Sequence, residues 1–198
     1  MTNFFLSDLH LGHKNNMAFD NRPFTSVEEN DTAIINNWNN TVNIDDDVYI
    51  LGDLSWYNVS ETIKILEGLN GNKHLFVGNH DKRFSKNKFF RDCFIEIEYY
   101  KELDIGNGKK LILCHYPIPC FNGQFRGNYH FYGHVHNTEQ WNMIESFKRM
   151  HEEARGIGSC NMYNVGCMMP EISYKPKTLT EILKAYGDEG CNVVEITD

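Results

Sequence analysis

Five short apolar runs in this 198-residue chain each stop at a small cluster of Asp, Asn or His, and that recurrence narrows the folds open to it. Phe4-Phe5-Leu6-Ser7 leads into Asp8-Leu9-His10, Val48-Tyr49-Ile50-Leu51 into Gly52-Asp53, and Leu75-Phe76-Val77 into Gly78-Asn79-His80-Asp81. Leu111-Ile112-Leu113-Cys114 leads into His115, and Tyr129-His130-Phe131-Tyr132 into Gly133-His134-Val135-His136. Short apolar runs bounded by turn residues read as buried strands. The polar clusters then fall where strands stop and loops begin, the edge at which open α/β sheets bind ligands.

Helical patterns fill the gaps between the first three runs. A helix is expected from about Ser26 to Val42, with Ser26 and Glu29 at capping-box spacing and Val27, Ile34, Ile35 and Trp38 forming an apolar stripe. A second is expected from Ser60 through Ile63, Ile65, Leu66 and Leu69, closed by Asn70-Gly71. The order β-α-β-α-β implies parallel strands with helices on the sheet faces. Further on, Phe94–Ile105 and Lys109–Cys114 read as strands joined by a Gly106-Asn107-Gly108 hairpin turn. Tyr129–Gly133 and Cys160–Val165 are further strands, and Thr178–Tyr186 is a terminal helix. Residues 137–159 carry helical spacing at Trp141, Ile144, Phe147 and Met150 and read as an insertion beside the ligand edge, either a lid or a surface helix. The whole chain, 1–198, is expected to form a single domain.

A net charge of −8 argues against an extended grip on nucleic acid, so no long duplex is expected as a partner. A small phosphorylated ligand remains compatible, because bound cations create their own positive field. The six cysteines form no CxxC pair and read as reduced thiols. With no charged leader and no apolar run near the ~20 residues that cross a bilayer, a soluble, cytoplasmic protein without a membrane partner is expected.

Asp8, His10, Asp53, Asn79, His115, His134 and His136 are the residue types that hold a pair of divalent ions. Two such ions about 3.5–4 Å apart neutralise phosphoryl oxygens and lower the pKa of bound water. In Asp8-Leu9-His10 and His134-Val135-His136 the period of two along an extended backbone is expected to turn both donors to one side. Glycine before Asp53, Asn79 and His134 is expected to let each strand end in a sharp turn.

The blocks Asp8-Leu9-His10, Gly52-Asp53, Gly78-Asn79-His80-Asp81, His115 and Gly133-His134-Val135-His136 resemble, in order, the five motifs of the calcineurin-like metallophosphoesterases. The stretch from Gly12-His13 to Arg22-Pro23-Phe24 also looks like a group of small bacterial and phage phosphoesterases. The resemblance implies a four-layer α/β/β/α sandwich. It implies one ion on Asp8, His10, Asp53 and His136 and a second on Asp53, Asn79, His115 and His134, with Asp53 bridging. His80 would donate a hydrogen bond to the phosphate, or a proton to the departing oxygen, oriented by Asp81, while metal-bound hydroxide attacks. His13, Arg22 and Arg126 are the candidates for substrate contact.

The expected activity is hydrolysis of a nucleotide-like phosphodiester, with phosphomonoesterase action as the alternative and a non-catalytic metal-binding scaffold as a weaker one. Mn²⁺ is the expected metal, ahead of Fe²⁺, Zn²⁺ or Ni²⁺.

Overall fold

The computed structural model describes residues 1–84, 86–155 and 160–188. Strands β1 (Asn3–Leu6), β2 (Asp47–Ile50) and β3 (Asn72–Phe76) run parallel. A short helix α1 (Asn16–Phe19) and the longer α2 (Val27–Asn39) lie between β1 and β2, and α3 (Val59–Glu67) lies between β2 and β3. Right-handed crossovers stepping in one direction across a sheet place their helices on the same face. Ile34, Trp38 and Leu66 are accordingly buried in the core. Trp38 is fully buried and donates its indole N–H to the Asn70 carbonyl at 2.9 Å, so truncation to Ala would cost about 3–5 kcal/mol.

Ser26 caps α2, accepting the Glu29 N–H as expected. The α3 start differs from expectation: Asn58, not Ser60, is the cap, in a reciprocal pair with Glu61. Both residues can accept the orphan N–H of a first turn, and the Asn58–Glu61 spacing decides between them.

The run Phe94–Ile105 is two strands rather than one. After α4 (Lys88–Arg91), β4 (Glu96–Glu98) pairs with β3 at the edge of the first sheet. Across Tyr99 the chain passes to β5 (Tyr100–Asp104), which pairs antiparallel with β6 (Lys110–Cys114) in a second sheet. That sheet continues through β7 (Tyr129–Tyr132) to β8 (Met162–Asn164), in the order β5-β6-β7-β8. The first sheet has the order β4-β3-β2-β1-β9, with β9 (Lys177–Thr178) antiparallel to β1. Helix α6 (Leu179–Ala185) follows, capped by Thr178 and Glu181.

The sheets face each other, with the Phe5 and Phe131 rings 5.2 Å apart and nearly perpendicular. Alternation sorts the second sheet into two faces. Leu111, Leu113, Tyr129, Phe131 and Tyr163 point into the main core. Ile112, Tyr132 and Met162 point outward, where Trp141, Ile144 and Phe147 of helix α5 (Glu139–Arg155) cover them. The 137–159 segment thus supplies the outer helical layer of the second sheet, and its residues 156–159 lie outside the described part. Met150, expected on the same stripe, is 60% exposed. The result is the four-layer α/β/β/α sandwich. Among the described residues no helix is long and apolar enough to cross a membrane.

Candidate metal centre

The loops leaving β1, β2, β3, β6 and β7 meet at one rim of the sandwich. The first two run side by side, with Asp8 N–H donating to Gly52 O at 3.0 Å, His10 N–H to Asp53 O at 3.0 Å and Leu11 N–H to Leu54 O at 3.1 Å. Asp8, His10, Asp53, His134 and His136 all have left-handed backbones, with φ of 55°, 47°, 55°, 70° and 47°. This corrects the expectation for Asp8-Leu9-His10 and His134-Val135-His136. β1 has already ended at Leu6 and β7 at Tyr132, so the donors are aimed by turned loops, not by strand alternation. Asp, Asn and His tolerate this region better than most non-glycine residues. The glycine expectation needs a similar amendment. Gly52 does turn with φ 86°, whereas Gly78 and Gly133 make room: a Cβ at Gly78 would strike the Asp53 carboxylate, and one at Gly133 the Asp8 carboxylate and Ser7 Oγ.

Two groups of donors result, Asp8 with His10 and His136, and Asp53 with His115 and His134; within each group one donor atom from every residue lies within 4.8 Å of the others. His10 Nε2 and His136 Nε2 are 3.1 Å apart, and Asp8 Oδ1 is 4.0 Å and 3.7 Å from them. Asn79 Oδ1 joins the second group, 3.1 Å from His115 Nε2 and 3.0 Å from His134 Nδ1. Asp53 Oδ2 stands between the groups, 3.7 Å from His10 Nε2 and 3.6 Å from His115 Nε2. Donors sharing one ion at roughly 2.0–2.2 Å can be no more than about 4.4 Å apart, a limit met by each of these atom pairs, from Asn79–His134 at 3.0 Å to Asp8–His10 at 4.0 Å.

The histidines are also prepared as ligands. His115 Nδ1–H donates to the Leu51 carbonyl at 2.7 Å, and His136 Nδ1–H to Asp20 Oδ1 at 2.6 Å, which leaves each Nε2 lone pair free to face the cluster. Asn164 steadies the same loop by donating to the His136 carbonyl at 2.8 Å. Electrostatics point the same way. Burial lifts the Asp53 carboxyl to about 7, opposed by His115 and aided by Asp8. Burial, then His136 and Arg22, hold His10 far below the usual imidazole range, and burial also lowers His134 and His80. For His136 burial is outweighed by the Asp20 hydrogen bond and the Asp8 and Asp20 charges, and its pKa rises. Buried carboxylates and imidazoles crowded in this way are costly without a cation. The donor set fits a pair of divalent ions.

Of the remaining predicted residues, His80 lies at the centre: its Nε2 is 3.8 Å from Asp53 Oδ2, and its side chain is 39% exposed. His13 is close by, its ring 5.7 Å from that of His10, with Nδ1 accepting the Asn16 N–H. Asp81 departs from its expected role. Its carboxylate accepts the N–H groups of Asp53 (2.8 Å), Leu54 (3.0 Å) and Gly78 (2.8 Å), which ties two loops together. Among the described residues no hydrogen bond joins it to the His80 ring.

Arg22 and Arg126 do not reach the opening. Arg22 is buried beneath it, donating to Asp20 Oδ2 (3.0 Å), Asn30 Oδ1 (3.2 Å) and the carbonyls of Leu9 (3.0 Å) and Asp8 (3.0 Å). Four of the five guanidinium N–H groups are used in this way, and the side chain is buried, so Arg22 braces the first loop rather than facing substrate. Arg126 precedes β7, whereas the rim is where β7 ends. Its carbonyl accepts from Lys109, which lies next to the start of β6, so it belongs to the opposite end of the sheet. Asp20, Asn164 and Trp56 are site residues the sequence did not single out. The Trp56 ring lies 4.2 Å from that of His13 and 4.3 Å from that of His80.

A family model described as calcineurin-like phosphoesterase matches residues 1–161. The uncharacterized protein MJ1445 of Methanocaldococcus jannaschii is 34% identical over 183 residues, covering 91% of this chain and 89% of that one. The gene 66 protein of Mycobacterium phage L5 is 41% identical over 81 residues, 39% of each chain. The crystal structure of AQ665 from Aquifex aeolicus, a protein of unknown function, superposes with a TM-score of 0.67 at 27% identity and covers 92% of this chain and 98% of that one. All five strand-end clusters fall within the matched residues, and the chain belongs to the calcineurin-like phosphoesterases, a family of metal-dependent phosphoric ester hydrolases.

Proposed function

We propose that the chain hydrolyses small, nucleotide-like phosphodiesters with two divalent cations, Mn²⁺ foremost. Asp8, His10, Asp53 and His136 would hold one ion, and Asp53, Asn79, His115 and His134 would hold the other. Asp53 carries this proposal: its Oδ2 lies 3.7 Å from His10 Nε2, 3.6 Å from His115 Nε2 and 3.8 Å from His80 Nε2, so one oxygen faces both donor groups and the candidate acid. When bound, paired ions supply charge neutralisation at the phosphoryl oxygens and an activated water.

The rest falls to the chain's own side chains. His80, partly open to solvent, donates a proton to the departing ester oxygen, a contribution of typically ~10²–10⁴-fold. His13, with Nδ1 accepting from Asn16, keeps its proton on Nε2 and offers it to a non-reacting phosphoryl oxygen. Neither arginine predicted for substrate contact reaches the opening, which supports a singly charged diester over a doubly charged monoester. The five described cysteines carry no disulfide, which supports a cytoplasmic setting.

A substrate panel after metal reconstitution tests this: aryl phosphodiesters, aryl phosphomonoesters, cyclic and linear nucleotides, and single-stranded oligonucleotides. Diester turnover should exceed monoester turnover. His80→Ala should keep its metals and lose turnover, and Asp53→Asn should weaken both sites. Faster monoester hydrolysis would reverse the substrate assignment, and no turnover with any metal would favour a scaffold.

A further inference from the structure

Asp81, expected to orient His80, has its carboxylate committed to three backbone N–H groups. The His80 ring needs another support, because a proton donor must hold its direction within a small angular range to be useful. Trp56 meets it edge to face at a centroid distance of 4.3 Å, closer than the His10 ring, which lies edge-on at 5.7 Å. The indole is itself fixed on several sides. The His13 ring meets it at 4.2 Å and 82°, and the Arg83 guanidinium lies 5.2 Å from its centroid. Arg83 is anchored in turn through a hydrogen bond to the Ser55 carbonyl. Trp56 N–H donates to Leu11 O at 2.6 Å, and Ser55 bridges Leu11, so the backbone beneath the indole is tied to the loop that carries His10.

Resting on the acid role proposed for His80, we infer that Trp56, braced by Arg83, is the positioning residue for the His80 ring. A cation over one part of an indole and imidazole edges at others suit the ring's negative faces and positive rim. The arrangement restricts rotation of His80 about its side-chain bonds without consuming either ring nitrogen. Nε2 is left to face Asp53 Oδ2 and the substrate space. Trp56 itself touches no reacting atom.

The test compares Trp56→Leu, Trp56→Phe, His80→Ala and the Trp56→Leu/His80→Ala double variant on two diesters that differ in leaving group, one aryl and one alkyl. Aryl oxide leaves without a proton and alkoxide does not. Trp56→Leu should lower kcat on the alkyl diester by roughly 10–100-fold, with a much smaller loss on the aryl diester and little change in KM. Trp56→Phe should recover part of the loss, and the double variant should be no worse than His80→Ala alone. A second readout needs no metal: in the metal-free protein, Trp56→Leu should shift the His80 ring resonances in NMR spectra toward those of an unstructured peptide.

Equal losses on both diesters, additive losses in the double variant, or an unmoved His80 spectrum would overturn the positioning role of Trp56 while leaving His80 as acid. If His80→Ala shows no dependence on leaving group, the acid role falls first and takes this inference with it.

Discussion

His136 Nδ1 and Asp20 Oδ1 lie 2.6 Å apart, and the other oxygen of the same carboxylate takes the Arg22 Nε–H at 3.0 Å. A buried guanidinium, a carboxylate and an imidazole thus form a chain ending at a candidate metal donor. Such outer partners fix a ligand's tautomer and raise its basicity. Asp20→Asn should weaken metal binding by roughly 10–100-fold, read by competition with a chromogenic chelator. Unchanged affinity would mean that Asp20 serves only the fold.

Arg22 separates stability from substrate binding. Replacing it by Gln strips Asp20 of its ion pair and leaves the Asp8 and Leu9 carbonyls short of a donor. The expected cost is about 3–5 kcal/mol in denaturant unfolding, with KM of the folded fraction unchanged. A raised KM at full stability would return Arg22 to the substrate site.

Removing the metals should lower the melting temperature, because the crowded carboxylates and imidazoles then lack compensation. Readdition of Mn²⁺ to 100 times its dissociation constant should restore about 2.7 kcal/mol for a single site. In Asp53→Asn, whose parent side chain faces both donor groups, the melting temperature should respond far less to added metal. A melting temperature indifferent to chelator in the wild type would argue against tightly held ions.

His130 gives the chain a pH dependence distinct from the rim. Its Nδ1–H donates to the Ile112 carbonyl at 3.0 Å and its Nε2 accepts the Ile118 N–H at 3.0 Å, an arrangement that needs a neutral ring. Burial pulls its pKa from the usual 6.5 to about 4, with the backbone hydrogen bonds opposing. Between those values the unfolded chain binds the extra proton, so stability is full above pH 6.5 and declines as pH falls toward about 4. The loss is on the order of 3 kcal/mol, and His130→Gln should lack it. Unfolding free energies across that range, wild type against variant, would show the difference; parallel curves would rule the contribution out.

The strand-end clusters were legible because burial and chemistry act on adjacent residues. An apolar run must stop before Asp or His can reach solvent or an ion, and the sequence records that boundary directly. What aims the donors was less legible. The contact of His136 with Asp20 spans 116 residues, and a polar loop gives no sign of it. Arg126 was misplaced because nearness along the chain to the last cluster ignores the strand between, which carries the two ends apart. The break at Tyr99 was hidden for a different reason: alternation continues through it, and a pattern of period two serves one sheet or two equally well. Arg22 drew a substrate role because a cation in the loop beyond the first cluster could hold a phosphoryl oxygen, while the carbonyls that occupy it reach it only once that loop has folded over the guanidinium.

The left-handed backbone at Asp8, His10, Asp53, His134 and His136 also bears on how this rim can be altered. Exchanging a ligand for one of different chemistry, to favour another ion, meets a torsional filter before any question of affinity arises. Asparagine enters such a conformation readily, whereas a branched or bulky replacement is excluded by its own Cβ. The set of ions this polypeptide can be re-engineered to prefer is therefore bounded by the shape of five peptide turns as much as by the donors they present.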